Sequence, residues 1–137
     1  MFFKKNKDKI KVNNLSKVAA LLIHAAKIDE NFSNEEEKII VQTLFKLDPN
    51  IQNIEIIMKE GKIIEEDANQ ILDFTREVKG MDQKDKSKII ECLWRIIYSN
   101  KKADMYETNL MRRLSGLLYI DNKIMGDIKE KIRKENL

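Results

Sequence analysis

The fold of this chain is decided by residues 15–28, which read LSKVAALLIHAAKI. Apolar residues occupy most of the circumference of a helix in this stretch, and no Gly or Pro interrupts it. A helix that is apolar on nearly every side is buried at the centre of a domain. We therefore expect a central helix from about Leu15 to Ile28, with Asn14 or Ser16 capping its start.

The same pattern returns in the second half of the chain. Pairing Ser16 with Ser87 sets an offset of 71 residues (87 − 16), which also aligns Glu36 with Glu107. Each apolar helix is followed by a polar turn and then by a second, amphipathic helix. The sequence thus predicts two helical hairpins that are related by a pseudo-twofold axis and share one core.

The remaining segments also predict helices, because the whole chain contains only four Gly and one Pro. A short third helix is expected to end near Gly61, a fourth to end near Gly80, and a last helix to open at Asp121 or Asn122. The predicted fold is all-α: a single-domain bundle of about seven helices over residues 15–137, preceded by a basic arm, residues 1–14.

Composition and charge limit the cellular compartment and the partners that the sequence predicts. The net charge of +3 is the remainder of 26 basic and 23 acidic residues, so the overall balance predicts neither a nucleic-acid partner nor an anionic membrane. Cys92 is the only cysteine, which excludes an intrachain disulfide and indicates a reducing, cytoplasmic setting. The basic arm is expected to be flexible, and peripheral contact of its lysines and phenylalanines with an anionic membrane is the alternative interpretation.

The clustered functional groups are the acids of the two hairpin turns. Asp29 and Glu36 flank the first turn, and the chain reversal can bring both carboxylates to one hard divalent cation. Asp104 and Glu107 belong to the second turn. Ser33 and Glu36 also have the spacing of a capping box, and so do Asp104 and Glu107, so structural caps are the competing interpretation.

No residue pattern indicates an enzyme or an organic cofactor. The chain lacks a glycine-rich phosphate loop and a histidine-supported nucleophile. His24 lies on the apolar first helix, where we expect a packed histidine that donates to a backbone carbonyl. Cys92 and Trp94 lie on the second apolar helix, where a buried, inert thiol and a core indole are expected.

Motifs in a fixed order along the chain resemble the tellurite resistance protein B (TerB)-like family, from Leu15 to about Asn122. They are Ala19-Ala20-Leu21-Leu22, the Asp29 to Glu36 turn, Phe74-Thr75-Arg76, Leu93-Trp94-Arg95-Ile96-Ile97-Tyr98, Asp104-Met105-Tyr106-Glu107, Leu110-Met111-Arg112-Arg113-Leu114 and Leu117-Leu118-Tyr119-Ile120.

The resemblance implies a helical bundle whose two turns each present an Asp and, seven positions later, a Glu, which in that family are proposed to bind divalent metal. Asp29 and Glu36 match the first turn. In the second turn Glu107 and Asp104 match, but Asn100 replaces the leading Asp and two lysines follow it. Positive charge there opposes a cation, so the second turn is expected to be a degenerate site.

The resemblance also implies a role in tellurite resistance, stress response or membrane-associated complexes. We therefore expect a non-enzymatic, cytoplasmic module that engages a protein partner and holds one divalent cation at the first turn. A purely structural or interaction domain without metal is the first alternative. A metal-assisted hydrolase is the second, and it needs an open coordination position and a general base that the sequence does not offer.

Overall fold

The computed structural model describes residues 2–27, 33–67, 72–99 and 105–135, with side chains described over 14–27, 33–67, 74–99 and 109–135. These residues form seven helices and no strand, which confirms the all-α prediction. The helices are α1 (Phe2–Ala26), α2 (Asn34–Leu47), α3 (Ile54–Asp67), α4 (Leu72–Lys79), α5 (Gln83–Ser99), α6 (Met105–Leu117) and α7 (Asn122–Glu135).

The two apolar helices singled out by the sequence lie at the centre of the bundle. α1 packs against α2, α3, α4 and α5, while α5 also packs against α2 and α7. Their large apolar side chains, including Leu21, Leu22, Ile89 and Leu93, are buried in one hydrophobic cluster. The buried half of each hairpin is therefore where the sequence predicts it, and the pseudo-twofold relation stays a prediction.

The start of α1 differs from the prediction. The helix begins at Phe2 rather than near Leu15, so Asn14 and Ser16 lie inside it and cap nothing. The hydroxyl of Ser16, which is buried, instead donates a hydrogen bond to Oε2 of Glu60 at 2.8 Å. No Gly or Pro precedes Leu15 to end the helical backbone. The predicted flexibility of residues 1–14 stays a prediction.

The predicted end of the third helix at Gly61 is also wrong. α3 continues to Asp67, and Gly61 is a buried position in its middle. A Cβ at Gly61 would lie 2.8 Å from Cβ of Ala19 and 3.2 Å from the carbonyl oxygen of Ser16. Gly61 therefore permits the close approach of α3 to α1 rather than a turn.

Acidic side chains set several of the other helix ends. Asp48 ends α2 in an extended conformation, with its backbone N–H donating to the Leu44 carbonyl at 2.9 Å. Oδ1 of Asp82 accepts from the Asp85 amide at the start of α5, at 2.8 Å. Oδ1 of Asp121 accepts from the amide of Lys123 at 2.8 Å. The predicted start of the last helix at Asp121 or Asn122 is confirmed.

We expect Gly61→Ala to destabilise the protein, although Ala is the better helix former. Forcing a methyl group against Ala19 should cost about 1–3 kcal/mol of unfolding free energy. Gly126→Ala in α7 is the matched control, because nothing lies within 4 Å of a Cβ there; it should stabilise by roughly 0.5–1 kcal/mol. Urea unfolding of both variants measures this, and a Gly61→Ala protein as stable as the wild type would refute the close approach.

Candidate metal site

The first turn ends in a complete capping box at the start of α2. Oγ of Ser33 accepts from the backbone amide of Glu36 at 3.1 Å. In return, Oε1 of Glu36 accepts from the backbone amide and the hydroxyl of Ser33, each at 3.0 Å. The sequence prediction of a capping box at this position is confirmed.

The capping box does not use the second carboxylate oxygen of Glu36. Glu36 is fully buried, at 0% relative exposure, and its Oε2 has no hydrogen-bond partner within the described part of the chain. A buried polar atom without a partner loses its hydration without replacement, which costs about 1–3 kcal/mol and more for a charged group. The capping role thus explains one oxygen of Glu36 and not the other.

One further buried side-chain polar atom lacks a partner among the described residues, and it differs in chemistry. Nε1 of Trp94 is a neutral donor on the core face of α5. The ammonium group of Lys129 lies 5.4 Å from the Trp94 ring centroid, over its face. An indole N–H cannot bind a cation, so only the Glu36 oxygen points to one.

Basic residues near the ends of α1 and α3 pair with other acids. Nζ of Lys62 lies 3.4 Å from Oε1 of Glu37, on the helix that Glu36 opens. Nζ of Lys27, at the end of α1, lies 3.0 Å from Oε2 of Glu65. Within the described side chains, no ion pair is formed by Glu36. Among the described residues, the groups that favour its charge are Ser33 and the N-terminus of α2.

The structure describes only part of the predicted ligand set. Asp29 and Asp104 lie outside the described residues, and Glu107 lies on the first turn of α6 with its side chain outside them. Glu36 is thus the one predicted ligand whose surroundings are known. Among the described residues, no three His, Cys, Asp or Glu side chains come together, so a cation site at the first turn would need Asp29 for its second carboxylate.

Sequence patterns missed two acids of α3 that contact α1. Glu60 accepts from the buried Ser16, and Glu65 pairs with Lys27. Nδ1 of His24 lies 3.5 Å from Oε1 of Glu65, so the described contact of this ring is a carboxylate rather than the expected backbone carbonyl. No sequence pattern marks these acids, because their partners depend on how α3 crosses α1.

Cys92 is a core residue of α5, as predicted. It is completely buried, and burial raises the pKa of its thiol to about 12, a shift that a hydrogen bond with Thr43 only partly offsets. A thiol that stays protonated at neutral pH is a poor nucleophile and a poor metal ligand. The expectation of an inert cysteine is therefore supported by its surroundings.

Among the described helices, none combines the length and the apolar character that crossing a membrane requires.

Comparison with known proteins gives one match. The family model described as Tellurite resistance protein TerB matches residues 15–130, which cover α2 to α5, α6, most of α7 and the buried half of α1. No curated protein and no solved structure matches the chain. The matched range includes both hairpin turns, and it excludes the first half of α1.

The buried thiol of Cys92 should make the protein less stable in alkali. Its pKa is about 12 in the folded protein against an ordinary 9.0, so the unfolded chain loses this proton first and stability falls as pH rises above about 9. We expect wild type to lose roughly 1.4 kcal/mol per pH unit more than Cys92→Ala between about pH 9.5 and 11. Urea unfolding at stepped pH measures both slopes; parallel slopes would contradict the protonated, buried thiol.

Proposed function

The chain belongs to the tellurite resistance protein TerB family, and we propose that it is a non-enzymatic, cytoplasmic module that holds one divalent cation at its first hairpin turn. In this proposal the cation orders the turn, and the ordered turn engages a protein partner in a stress response of the tellurite-resistance type. The observation that carries the cation site is the buried, unpartnered Oε2 of Glu36. Family membership supports the role in a stress response of the tellurite-resistance type.

Glu36 has the chemistry of a ligand for a hard cation. Carboxylate oxygens are the preferred ligands of calcium and magnesium. Because Oε1 is held by the Ser33 amide and hydroxyl, Oε2 is the oxygen free to bind. A cation there removes two costs at once, the missing hydrogen bond and the uncompensated buried charge.

Asp29 supplies the second carboxylate in this proposal. α1 ends at Ala26 and α2 begins at Asn34, so Asp29 belongs to the connection between them. One carboxylate from the connection and one from the first turn of α2 balance the charge of a divalent ion, and water or backbone carbonyls complete its coordination. When bound, the ion supplies a positive charge that ties this connection to the start of α2.

The alternative is an interaction domain in which the acids only cap helices. The complete capping box of Ser33 and Glu36 favours it, and it predicts no cation binding at all. A metal-assisted hydrolase is less well supported, because it requires a general base beside the metal. Near the first turn the described His24 is already paired with Glu65.

Calorimetric titration of metal-stripped protein with calcium, magnesium, manganese and zinc tests the proposal. We expect one divalent ion per chain, and a melting temperature that rises with ion concentration because a ligand at 100-fold its Kd adds about 2.7 kcal/mol of stability. Asp29→Asn and Glu36→Gln should each weaken binding at least about tenfold, the loss expected when a charge-assisted contact worth roughly 1.5–3 kcal/mol is removed.

Two controls separate the site from the cap. Glu35→Gln changes the exposed neighbouring acid and should leave affinity nearly unchanged. Ser33→Ala removes the cap and should cost about 1 kcal/mol of stability, while the Glu36 oxygens that bind the ion remain. Gln can still close the box, so Glu36→Gln should keep most of its stability without metal. Absence of binding in wild type down to millimolar affinity would leave the capping interpretation in its place.

A further inference from the structure

α1 begins well before the first residue that the family model matches. The family match begins at residue 15, whereas the helix begins at Phe2 and runs without a break to Ala26. Residues 2–14 are thus a helical extension of about four turns, built onto a helix whose second half is buried in the core. We call these residues the α1 extension.

The α1 extension carries the positive charge of the whole chain. It contains Lys4, Lys5, Lys7, Lys9 and Lys11 against a single acid, Asp8, for a net charge of +4. The chain as a whole has a net charge of +3, so all other residues together sum to −1 (3 − 4). Such a concentration of one sign at one end indicates an anionic surface as the partner.

Helical spacing separates the apolar and basic positions of the α1 extension. Phe3 and Ile10 are seven residues apart, which places them on one side of the helix. Phe2 lies about 100° away from Phe3, and Asn6 and Asn13 fall between Phe2 and Ile10. Lys4, Lys7 and Lys11 follow an i, i+3, i+7 spacing about a quarter-turn from Phe3 and Ile10. A narrow apolar strip beside a row of lysines is found in helices that lie in the plane of a membrane surface.

We propose that the α1 extension binds the surface of an anionic lipid bilayer. The lysines meet the lipid headgroups, and the phenylalanines with Ile10 enter the boundary between headgroups and acyl chains. Nucleic-acid binding requires only positive charges and aromatic rings that stack on bases. The aliphatic Ile10, which lies on the same side of the helix as Phe3, therefore favours lipid as the partner. The proposal does not rest on the cation site, which involves the opposite end of α1.

Co-sedimentation of the full 137-residue chain with vesicles tests this inference. We expect binding to vesicles in which about a third of the lipid is phosphatidylglycerol, and little to pure phosphatidylcholine. Binding should fall steeply as salt rises from about 0.1 M to about 1 M, where the screening length drops from about 10 Å to about 3 Å. Binding of the chain to a single-stranded RNA oligonucleotide is measured in parallel.

Two pairs of variants localise the effect. Lys4→Glu/Lys7→Glu/Lys11→Glu and the control Lys84→Glu/Lys123→Glu/Lys134→Glu both change the formal net charge from +3 to −3, because each substitution subtracts two charges. Only the first variant should lose vesicle binding. Its affinity should fall by about a hundredfold or more, because each lost lysine lowers the affinity roughly fivefold.

The second pair tests the apolar strip. Phe2→Ser/Phe3→Ser should weaken binding at least about tenfold, whereas Ile56→Ser/Ile63→Ser, at two half-exposed positions of α3, should not. Thermal unfolding confirms that each variant is folded. Equal losses in both charge variants, indifference to the phenylalanine changes, or RNA binding that exceeds lipid binding would each overturn the inference.

Discussion

The close approach of α3 to α1 at Gly61 is the constraint on which the rest of the structure depends. With no side chain at Gly61, the two backbones come near enough for polar groups on either side of the crossing to meet. Ser16 then reaches Glu60 at 2.8 Å, and Lys27 reaches Glu65 at 3.0 Å. The partly exposed ion pair of Lys27 and Glu65 contributes about 0–1 kcal/mol, so it follows from the packing and does not drive it.

Local patterns predicted most of the fold because helices are local structures. The periodicity of apolar residues identified α1 and α5 as central, and Asp121 marked the start of α7. Two boundaries failed for the same physical reason. Gly61 reads locally as a helix end, but its lack of a side chain serves packing between helices. The run before Leu15 reads as an arm, yet polar residues continue a helix when no Gly or Pro interrupts them.

The candidate site also combines features that the local sequence predicts with features that depend on tertiary contacts. The capping box joins residues three apart, Ser33 and Glu36, so the sequence contains all of it. The burial of Glu36 depends on how other helices cover the start of α2, and no spacing rule predicts that. Likewise His24 pairs with Glu65 across the α1–α3 contact, which a reading of α1 alone cannot supply.

Capping and cation binding, which are rival interpretations in the sequence, use different atoms of one carboxylate. The Ser33 contacts fix the rotamer of Glu36 through Oε1, so the Oε2 position is ordered before any ligand arrives. A ligand that is already ordered loses little entropy on binding. The first-turn position favours the charge of Glu36 by only about 0.3–1 kcal/mol, whereas a buried, unpaired charge costs several kcal/mol. Among the described residues, the cap therefore leaves Oε2 of Glu36 oriented and without a partner, which is the condition in which the proposed cation adds the most.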